Sequence, residues 1–189
     1  MIRKLLTLAA FAAVPVLQGC LPLSVTGTGT ASILASDRRT TGMYIEDESI
    51  EWKVLGLMNN AYPGAHVNST SYNRRVLLTG EVPNEDTKKK VEEQVRRIEN
   101  VREVTNELQV AGASSMASRG NDALVTSNVK ARMVNNGKFS PNHVKVLTEQ
   151  NVVYLMGLMT QAEADAAVEI ARTTSGVARV VKVFEYLPG

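Results

Sequence analysis

An internal repeat constrains the fold of this 189-residue chain more than any other feature. Residues 66–80 and 143–157 both begin with His-Val and end in an apolar run closed by glycine, at a constant offset of 77 positions. Apolar positions on either side also correspond: Ile50, Val54, Met58, Val101, Val104 and Leu108 in the first copy match Val125, Val129, Met133, Val177, Val180 and Phe184 in the second. Self-similarity of this kind indicates a duplicated structural unit, so two copies of one small domain are predicted.

Each copy carries the same order of predicted elements, α-β-β-α-β. Apolar residues at helical spacing predict a first helix in each copy, with Asp122 as the expected N-cap of the second one. The predicted hairpins pair 66–72 with 75–82 through Tyr72-Asn73-Arg74, and 143–149 with 152–159 through Glu149-Gln150-Asn151. The second helices are expected to start after Pro83-Asn84 and run to about Glu99, and to run from Gln161 to Thr174, with Asn100 and Gly176 ending them. The last strands are expected at 101–110 and 177–186.

This order of elements predicts an α+β fold of two tandem domains at 47–111 and 121–187, joined by a linker at 112–120 that is rich in Ser, Ala and Gly. Each domain is expected to form a three-stranded mixed sheet with both helices on one face and a right-handed β-α-β crossover. A unit of about 65 residues has a small core and is marginally stable alone. The two copies are therefore expected to pack together and support each other.

The first twenty residues describe an export signal. Arg3 and Lys4 form a short basic start, the stretch from Leu5 to Leu17 is largely apolar, and small residues lead to Cys20, the one cysteine of the chain. This order is typical of a secretory signal peptide, predicted here at 1–19. The apolar run has 13 residues, fewer than the ~20 that a membrane-spanning helix needs.

The ending Leu-Gln-Gly-Cys20 resembles the lipobox of bacterial lipoproteins. The resemblance implies that Cys20 becomes the N-terminus and carries a diacylglycerol and an N-linked acyl chain such as palmitate, with no other cofactor. Leu21 stands where a signal for inner-membrane retention would have aspartate, which implies a lipid anchor on the periplasmic face of the outer membrane. Residues 20–46, rich in Ser, Thr and Gly, are interpreted as the lipidated end and a flexible tether.

Charge and motif content exclude several classes of function. Beyond the signal peptide, 19 basic residues face 19 acidic ones, so net charge does not favour nucleic acid as a partner. The sequence has no Gly-x-Ser-x-Gly elbow, phosphate-binding loop or zinc-spaced ligand cluster, so no catalytic residue, small-molecule substrate or metal site is expected. His66 and His143 occupy equivalent places and are interpreted as products of duplication. The basic run Lys88-Lys89-Lys90 is interpreted as a solvated helix face with i, i+4 ion pairs.

Taken as a whole unit, each copy resembles the BON domain family. The resemblance rests on the α-β-β-α-β order, on glycine-ended strands at 76–80 and 153–157, and on Gly-Val-x-x-Val at 176–180, although the first copy has Asn100 in place of Gly176. With the lipobox and tether, the chain resembles outer-membrane lipoproteins that carry two BON domains. The resemblance implies a non-enzymatic protein that binds anionic phospholipid, such as phosphatidylglycerol or cardiolipin, and supports outer-membrane integrity, also at the division site.

The resemblance also implies where lipid binds, namely at the first helix of the second domain. On this chain that helix covers 121–134, with Val125, Val129 and Met133 expected to face the core. The expected lipid-binding residues are Leu124, Ser127, Asn128, Lys130, Ala131, Arg132 and Val134. Lys130 and Arg132 are expected to meet lipid phosphates, and Leu124 stands where family members often place an aromatic residue, which implies weaker membrane affinity.

A protein-interaction adaptor is the alternative interpretation. In that case the duplicated sheets or Trp52 would dock outer-membrane assembly proteins or the cell wall. Trp52 lies one step off the apolar stripe of the first helix, so it either covers the seam between the domains or serves a partner. The sequence leaves both options open.

Overall fold

The structure, a computed structural model, describes residues 37–188. The predicted signal peptide, Cys20 and most of the predicted tether lie outside these residues. Within the described range, no helix combines the length and hydrophobicity that crossing a bilayer requires. The two predicted α+β domains are both present and follow each other along the chain.

The first domain consists of two helices and a mixed sheet. Its elements are α1 (Thr41–Ala61), β1 (His66–Tyr72), β2 (Arg75–Val82), α2 (Glu85–Arg96), β3 (Glu103–Asn106) and β4 (Gln109–Val110). The central strand β2 pairs antiparallel with β1 and parallel with β3 and β4. The predicted single strand at 101–110 is therefore interrupted, because Leu108 turns inward, is fully buried and donates its N–H to the Asn106 side chain at 3.2 Å.

The second domain repeats this plan. Its elements are α3 (Met116–Val134), a 3-10 turn (Pro141–His143), β5 (Val144–Glu149), β6 (Val152–Met159), α4 (Gln161–Arg172) and β7 (Arg179–Tyr186). The central strand β6 pairs antiparallel with β5 and parallel with β7. The predicted strand starting at 143 begins one residue later, since His143 closes the 3-10 turn.

The second helix of each domain ends earlier than predicted. α2 ends at Arg96 and α4 at Arg172, rather than at Glu99 and Thr174. Asn100 and Gly176 do adopt left-handed backbone, with φ of 70° and 86°, but they close the turn that follows each helix. The conformation expected of these two residues is thus correct, and its position relative to the helix is wrong.

Glycines at the end of β2 and β6 allow unusually close approach of the neighbouring strand. A Cβ atom at Gly80 would lie 2.1 Å from the carbonyl oxygen of His66, and one at Gly157 would lie 2.4 Å from that of His143. Any larger residue would therefore push the hairpin apart. This explains why the apolar run of both copies closes with glycine.

The prediction that Asp122 caps a helix is wrong. Ser115 is the N-cap of α3, which begins within the predicted linker, and Asp122 lies inside the helix with 4% of its surface exposed. Its carboxylate accepts hydrogen bonds from the backbone N–H groups of Gln150 and Asn151, at 2.9 and 2.8 Å. These are the two turn residues of the β5–β6 hairpin, and both have positive φ.

Asp47 makes the same contact in the first domain. It is 2% exposed and accepts from the backbone N–H groups of Asn73 and Arg74 at 2.8 and 2.7 Å. Tight hairpin turns with two left-handed residues leave N–H groups that the ladder does not satisfy. A buried aspartate of the first helix therefore fastens the hairpin turn in each copy.

Each sheet packs its helices on one face and the other domain on its opposite face. On β2, Val76 and Leu78 belong to the core under α1 and α2, whereas Leu77 points to the other side. The buried residues between the two sheets are Tyr72, Leu77, Tyr154, Met156, Leu158 and Val183. The expectation that the copies pack together is confirmed, and this shared layer forms the seam between the two domains.

The residues just before α1 are docked on the second domain, unlike the tether predicted for 20–46. Arg38 donates to both carboxylate oxygens of Glu163 at 2.7 and 2.8 Å and to the carbonyl of Leu158. The side chain of Arg39 is 6% exposed, pairs with Asp37 and Asp47, and lies 3.9 Å from the ring centre of Tyr72. Residues 37–40 therefore form a strap between the two domains.

Replacing Arg38 with alanine should destabilise the protein at pH 7 and much less at low pH. The hydrogen bonds from Arg38 lower the pKa of Glu163 to about 2, against a partial opposing effect of burial. A depressed carboxyl pKa contributes stability above the unfolded-state value of about 4.3, and this contribution disappears as pH falls through the folded-state value.

We expect a cost of about 1–2 kcal/mol at pH 7, measured by urea unfolding. The cost should shrink between pH 5 and 2 to the part due to the Leu158 carbonyl. The exposed pair of Arg172 and Glu169 provides the control, since Arg172→Ala should cost less than about 0.5 kcal/mol. An Arg38→Ala cost that is independent of pH would contradict this account.

Candidate membrane-binding surface

The outward face of α3 holds all the predicted lipid-binding residues. Leu124 and Val134 are 66% and 65% exposed, which is unusual for apolar side chains of this size. Leu124, Asn128 and Ala131 follow one another at i, i+4 and i+7 and are all exposed, as is Ser127 beside them. The predicted core face is also confirmed, since Val125, Val129 and Met133 are buried.

The charged side chains of α3 that reach solvent are all basic. Its basic residues are Arg119, Lys130 and Arg132, and its one acidic residue, Asp122, is buried against the hairpin turn. An exposed face with cations and no carboxylate is attracted to anionic lipid, at about 1 kcal/mol for each basic residue close to the surface.

The repeat-related helix α1 has the opposite charge. Asp47 is buried, and the partly or fully exposed charges of this helix are three acidic residues and one basic residue, Glu46, Glu48, Glu51 and Lys53. An anionic bilayer would repel this face. The two copies thus share a fold and differ in the charge of their first helix.

Lys130 borders a cleft between α3 and the strap. The cleft has a volume of about 470 Å³, and its wall also includes Arg39, Tyr72, Val134 and Lys145. Lys145 is paired with Glu51 at 2.8 Å, and Arg39 with Asp37 and Asp47. Among residues 37–188, no carboxylate forms an ion pair with Lys130, so its ammonium group is available to a phosphate.

Arg132 is held more tightly than expected of a lipid ligand. Its guanidinium donates to the carbonyl of Ile170 at 2.9 Å and to the hydroxyls of Thr173 and Thr174 at 3.0 and 2.6 Å. These groups lie at the C-terminal end of α4, where carbonyl oxygens lack helical partners. Arg132 therefore joins α3 to α4 and contributes its charge to the surface from a fixed position.

Trp52 does not cover the seam. It is 69% exposed on α1, whereas the seam lies between the faces of the sheets that point away from the helices. Glu48, Glu51 and Leu55 surround it in a shallow depression. Of the two options left open by the sequence, cover of the seam is wrong, and contact with a partner stays a prediction.

The interpretation of the basic run on α2 is supported by its contacts. Lys90 pairs with Asp86 at i, i+4, with 2.7 Å between Nζ and a carboxylate oxygen, and both side chains are largely exposed. Arg96 and Glu92 form a second pair at the same spacing. Lys90 of the basic run is therefore paired within its own helix, as the interpretation requires.

Sequence reasoning missed a polar cluster at one end of the seam. The Nδ1 atom of His66 lies 2.8 Å from a carboxylate oxygen of Glu81, and Gln150 of the second domain donates to the other oxygen of Glu81. Burial opposes ionisation of Glu81, but these hydrogen bonds outweigh it and lower its pKa. The signal was present in the repeat, because the second copy has Leu158 at the position of Glu81.

Comparison with known proteins gives a consistent family assignment for both halves of the chain. The BON domain model matches residues 46–112 and 121–188. The chain is 41% identical over 174 residues to the outer membrane lipoprotein DolP of Haemophilus influenzae, covering 90% of each sequence. It is 32% identical to a 21 kDa hemolysin of Actinobacillus pleuropneumoniae over 154 residues, which is 80% of this chain and 79% of the hemolysin.

A third relative is more distant. The osmotically-inducible protein Y of Escherichia coli is 27% identical over 150 residues, covering 77% of this chain and 75% of that protein. The similarity to DolP and to the osmotically-inducible protein Y covers most of this chain and most of each relative, so it includes residues of both domains.

Proposed function

Because this chain belongs to the BON domain family and carries two copies of the domain, we propose that it is a non-enzymatic outer-membrane lipoprotein that binds anionic phospholipid through α3. The observation that carries the proposal is the charge difference between the first helices of the two domains. The exposed face of α3 carries apolar and basic side chains, whereas that of α1 carries apolar side chains and more acidic than basic ones. In this proposal the protein supports outer-membrane integrity, including at the division site.

The proposed anchor is Cys20. The similarity to an outer membrane lipoprotein supports it, as does the Leu-Gln-Gly-Cys20 ending of the predicted signal peptide. One acyl chain binds a membrane marginally and several bind it firmly. A diacylglycerol and an N-linked chain would hold the two domains at the bilayer and raise the effective concentration of α3 there. The intact mass of protein extracted from the envelope reports this modification.

Vesicle flotation tests the lipid preference directly. Protein comprising residues 21–189, which lacks Cys20 and retains both domains, should float with vesicles containing phosphatidylglycerol or cardiolipin and not with phosphatidylcholine alone. Binding should fall in about 0.5 M salt, because screening shortens the reach of surface charges to a few ångströms. Equal binding to neutral vesicles would contradict an electrostatic contact, and no binding to either would contradict the proposal.

The exposed position of Trp52 favours a protein-interaction adaptor as the second candidate function. Aromatic side chains are enriched where proteins contact each other, and the acidic surroundings on α1 disfavour an anionic membrane at this point. Crosslinking in cells from position 52 separates the candidates. One abundant protein adduct that persists when vesicle binding is lost would favour the adaptor, whereas its absence would favour the lipid-binding function alone.

A further inference from the structure

One end of the seam brings together a histidine and two glutamates from different domains. His66 and Glu81 belong to the first domain and Glu149 to the second, and their ligand atoms lie within 4.8 Å of one another. Glu81 and Glu149 are 1% and 8% exposed. We propose that these three side chains form an interdomain binding site for a divalent transition metal ion, for which Zn²⁺ fits the donor set. The site does not depend on lipid binding by α3.

The donor atoms suit a four-coordinate zinc ion with water in the fourth position. Zinc binds histidine nitrogen and carboxylate oxygen at about 2.0–2.2 Å, so tetrahedral donors stand about 3.3 Å apart. The Nδ1 atom of His66 and the nearer oxygen of Glu81 are 2.8 Å apart. Binding would replace this hydrogen bond, with the imidazole proton on Nε2, and requires the Glu149 carboxylate to move by a small side-chain rotation.

Neighbouring side chains already hold both carboxylates in place. Gln150 donates to one oxygen of Glu81 at 2.5 Å, and the backbone N–H of Ser114 donates to the other at 3.2 Å. Asn68 donates to Glu149 at 3.0 Å. Such outer hydrogen bonds orient the ligands of metal sites. Here they cross between the domains, so the metal would join the two sheets.

The electrostatics of the cluster also favour a cation. Two carboxylates with little access to water lie beside one imidazole, and buried negative charge is costly without a positive partner. A divalent ion would compensate both charges. Arg119 lines the cavity beside this cluster, and its guanidinium donates to the Ser114 hydroxyl at 3.2 Å rather than to either carboxylate.

The cluster has an entry path and a counterpart for comparison. His66 and Glu149 line a cavity of about 530 Å³ that opens to solvent beside α3. At the other end of the seam the equivalent positions hold His143, Leu158 and Tyr72, so neither Glu81 nor Glu149 has a carboxylate counterpart there. A carboxylate oxygen of Glu163 lies 3.9 Å from the Nδ1 atom of His143. The equivalent histidine of the second copy therefore provides a comparison in which the two glutamates are replaced by Leu158 and Tyr72.

Calorimetric titration of Zn²⁺ into untagged residues 21–189, stripped with a chelator, tests the proposal. We expect one ion per chain and a higher melting temperature with zinc, because a ligand of the folded state stabilises it. His66→Gln and Glu149→Gln should each weaken binding by about tenfold or more. Both substitutions retain hydrogen-bonding groups, and circular dichroism verifies that the variants fold.

His143→Gln is the matched control and should change the affinity by less than about twofold. Mg²⁺ should bind far more weakly than Zn²⁺, since it prefers an all-oxygen shell. Absence of stoichiometric zinc binding would overturn the proposal. So would binding that survives both His66→Gln and Glu149→Gln, or binding that His143→Gln removes, because the ion would then lie elsewhere.

Discussion

Replacing Leu124 with glutamate should weaken binding to anionic vesicles by about 100- to 1,000-fold. Full burial of a leucine side chain contributes about 1.5–3 kcal/mol, and a carboxylate at the same place adds repulsion of about 1 kcal/mol from an anionic surface. Leu124 is 66% exposed, so the substitution leaves the core of the second domain intact. Titration of residues 21–189 with phosphatidylglycerol vesicles measures the effect, and urea unfolding verifies that stability is retained.

Ile45 provides the matched control, because it is 63% exposed on the equivalent helix of the first domain. Ile45→Glu makes the same kind of change on the acidic helix α1, which we do not expect to contact the bilayer. Its affinity for vesicles should stay within about twofold of the parent protein. If the two variants lose affinity equally, any added charge disturbs binding and the assignment to α3 is incorrect.

Replacing Asp47 with alanine should lower the free energy of unfolding by about 3–5 kcal/mol, the range for removal of one partner of a buried ion pair. The Asp47 carboxylate accepts from the Ser71 hydroxyl and from two backbone N–H groups of the β1–β2 turn, and it pairs with Arg39 at 2.8 Å. Alanine would leave the turn N–H groups without acceptors and the buried Arg39 with Asp37 as its remaining carboxylate.

The equivalent aspartate of the second copy, Asp122, provides a comparison for the cost of Asp47→Ala. Asp122 fastens the equivalent turn with two backbone hydrogen bonds and has no ion pair among the described residues, so Asp122→Ala should cost about 2–3 kcal/mol. Glu46→Ala, one residue away from Asp47, should cost less than about 0.5 kcal/mol. Urea unfolding of the three variants checks the order. An Asp47→Ala cost no greater than that of Asp122→Ala would show that the strap adds nothing.

Local signals predicted the hairpins well. The bounds of β1, β2 and β6 agree with the sequence analysis, because the turn residues between apolar strands mark where pairing must reverse. The repeat also predicted that the copies would pack together, since neither is large enough to be stable alone. The outward stripe of α3 followed from helical periodicity, which depends on neighbouring residues of the same helix.

Features that depend on distant contacts escaped prediction. Asp122 has the residue type of an N-cap, and its carboxylate serves a turn that lies 28 residues further along the chain. Residues 37–40 have the polar composition of a linker, yet Arg38 donates a hydrogen bond to Glu163, which lies 125 residues further along the chain. The engagement of Arg132 with α4 and the approach of Glu149 to His66 likewise arise from tertiary packing, which spacing along the sequence does not report.

The strap has a consequence for the orientation of the protein at the bilayer. Asp37, where the described chain begins, lines the same cleft as Lys130 and Val134. A covalent anchor at Cys20 would therefore keep the corner of the molecule that carries the basic helix close to the bilayer. Attachment at that corner would favour orientations in which α3 faces the lipid, before any headgroup is bound.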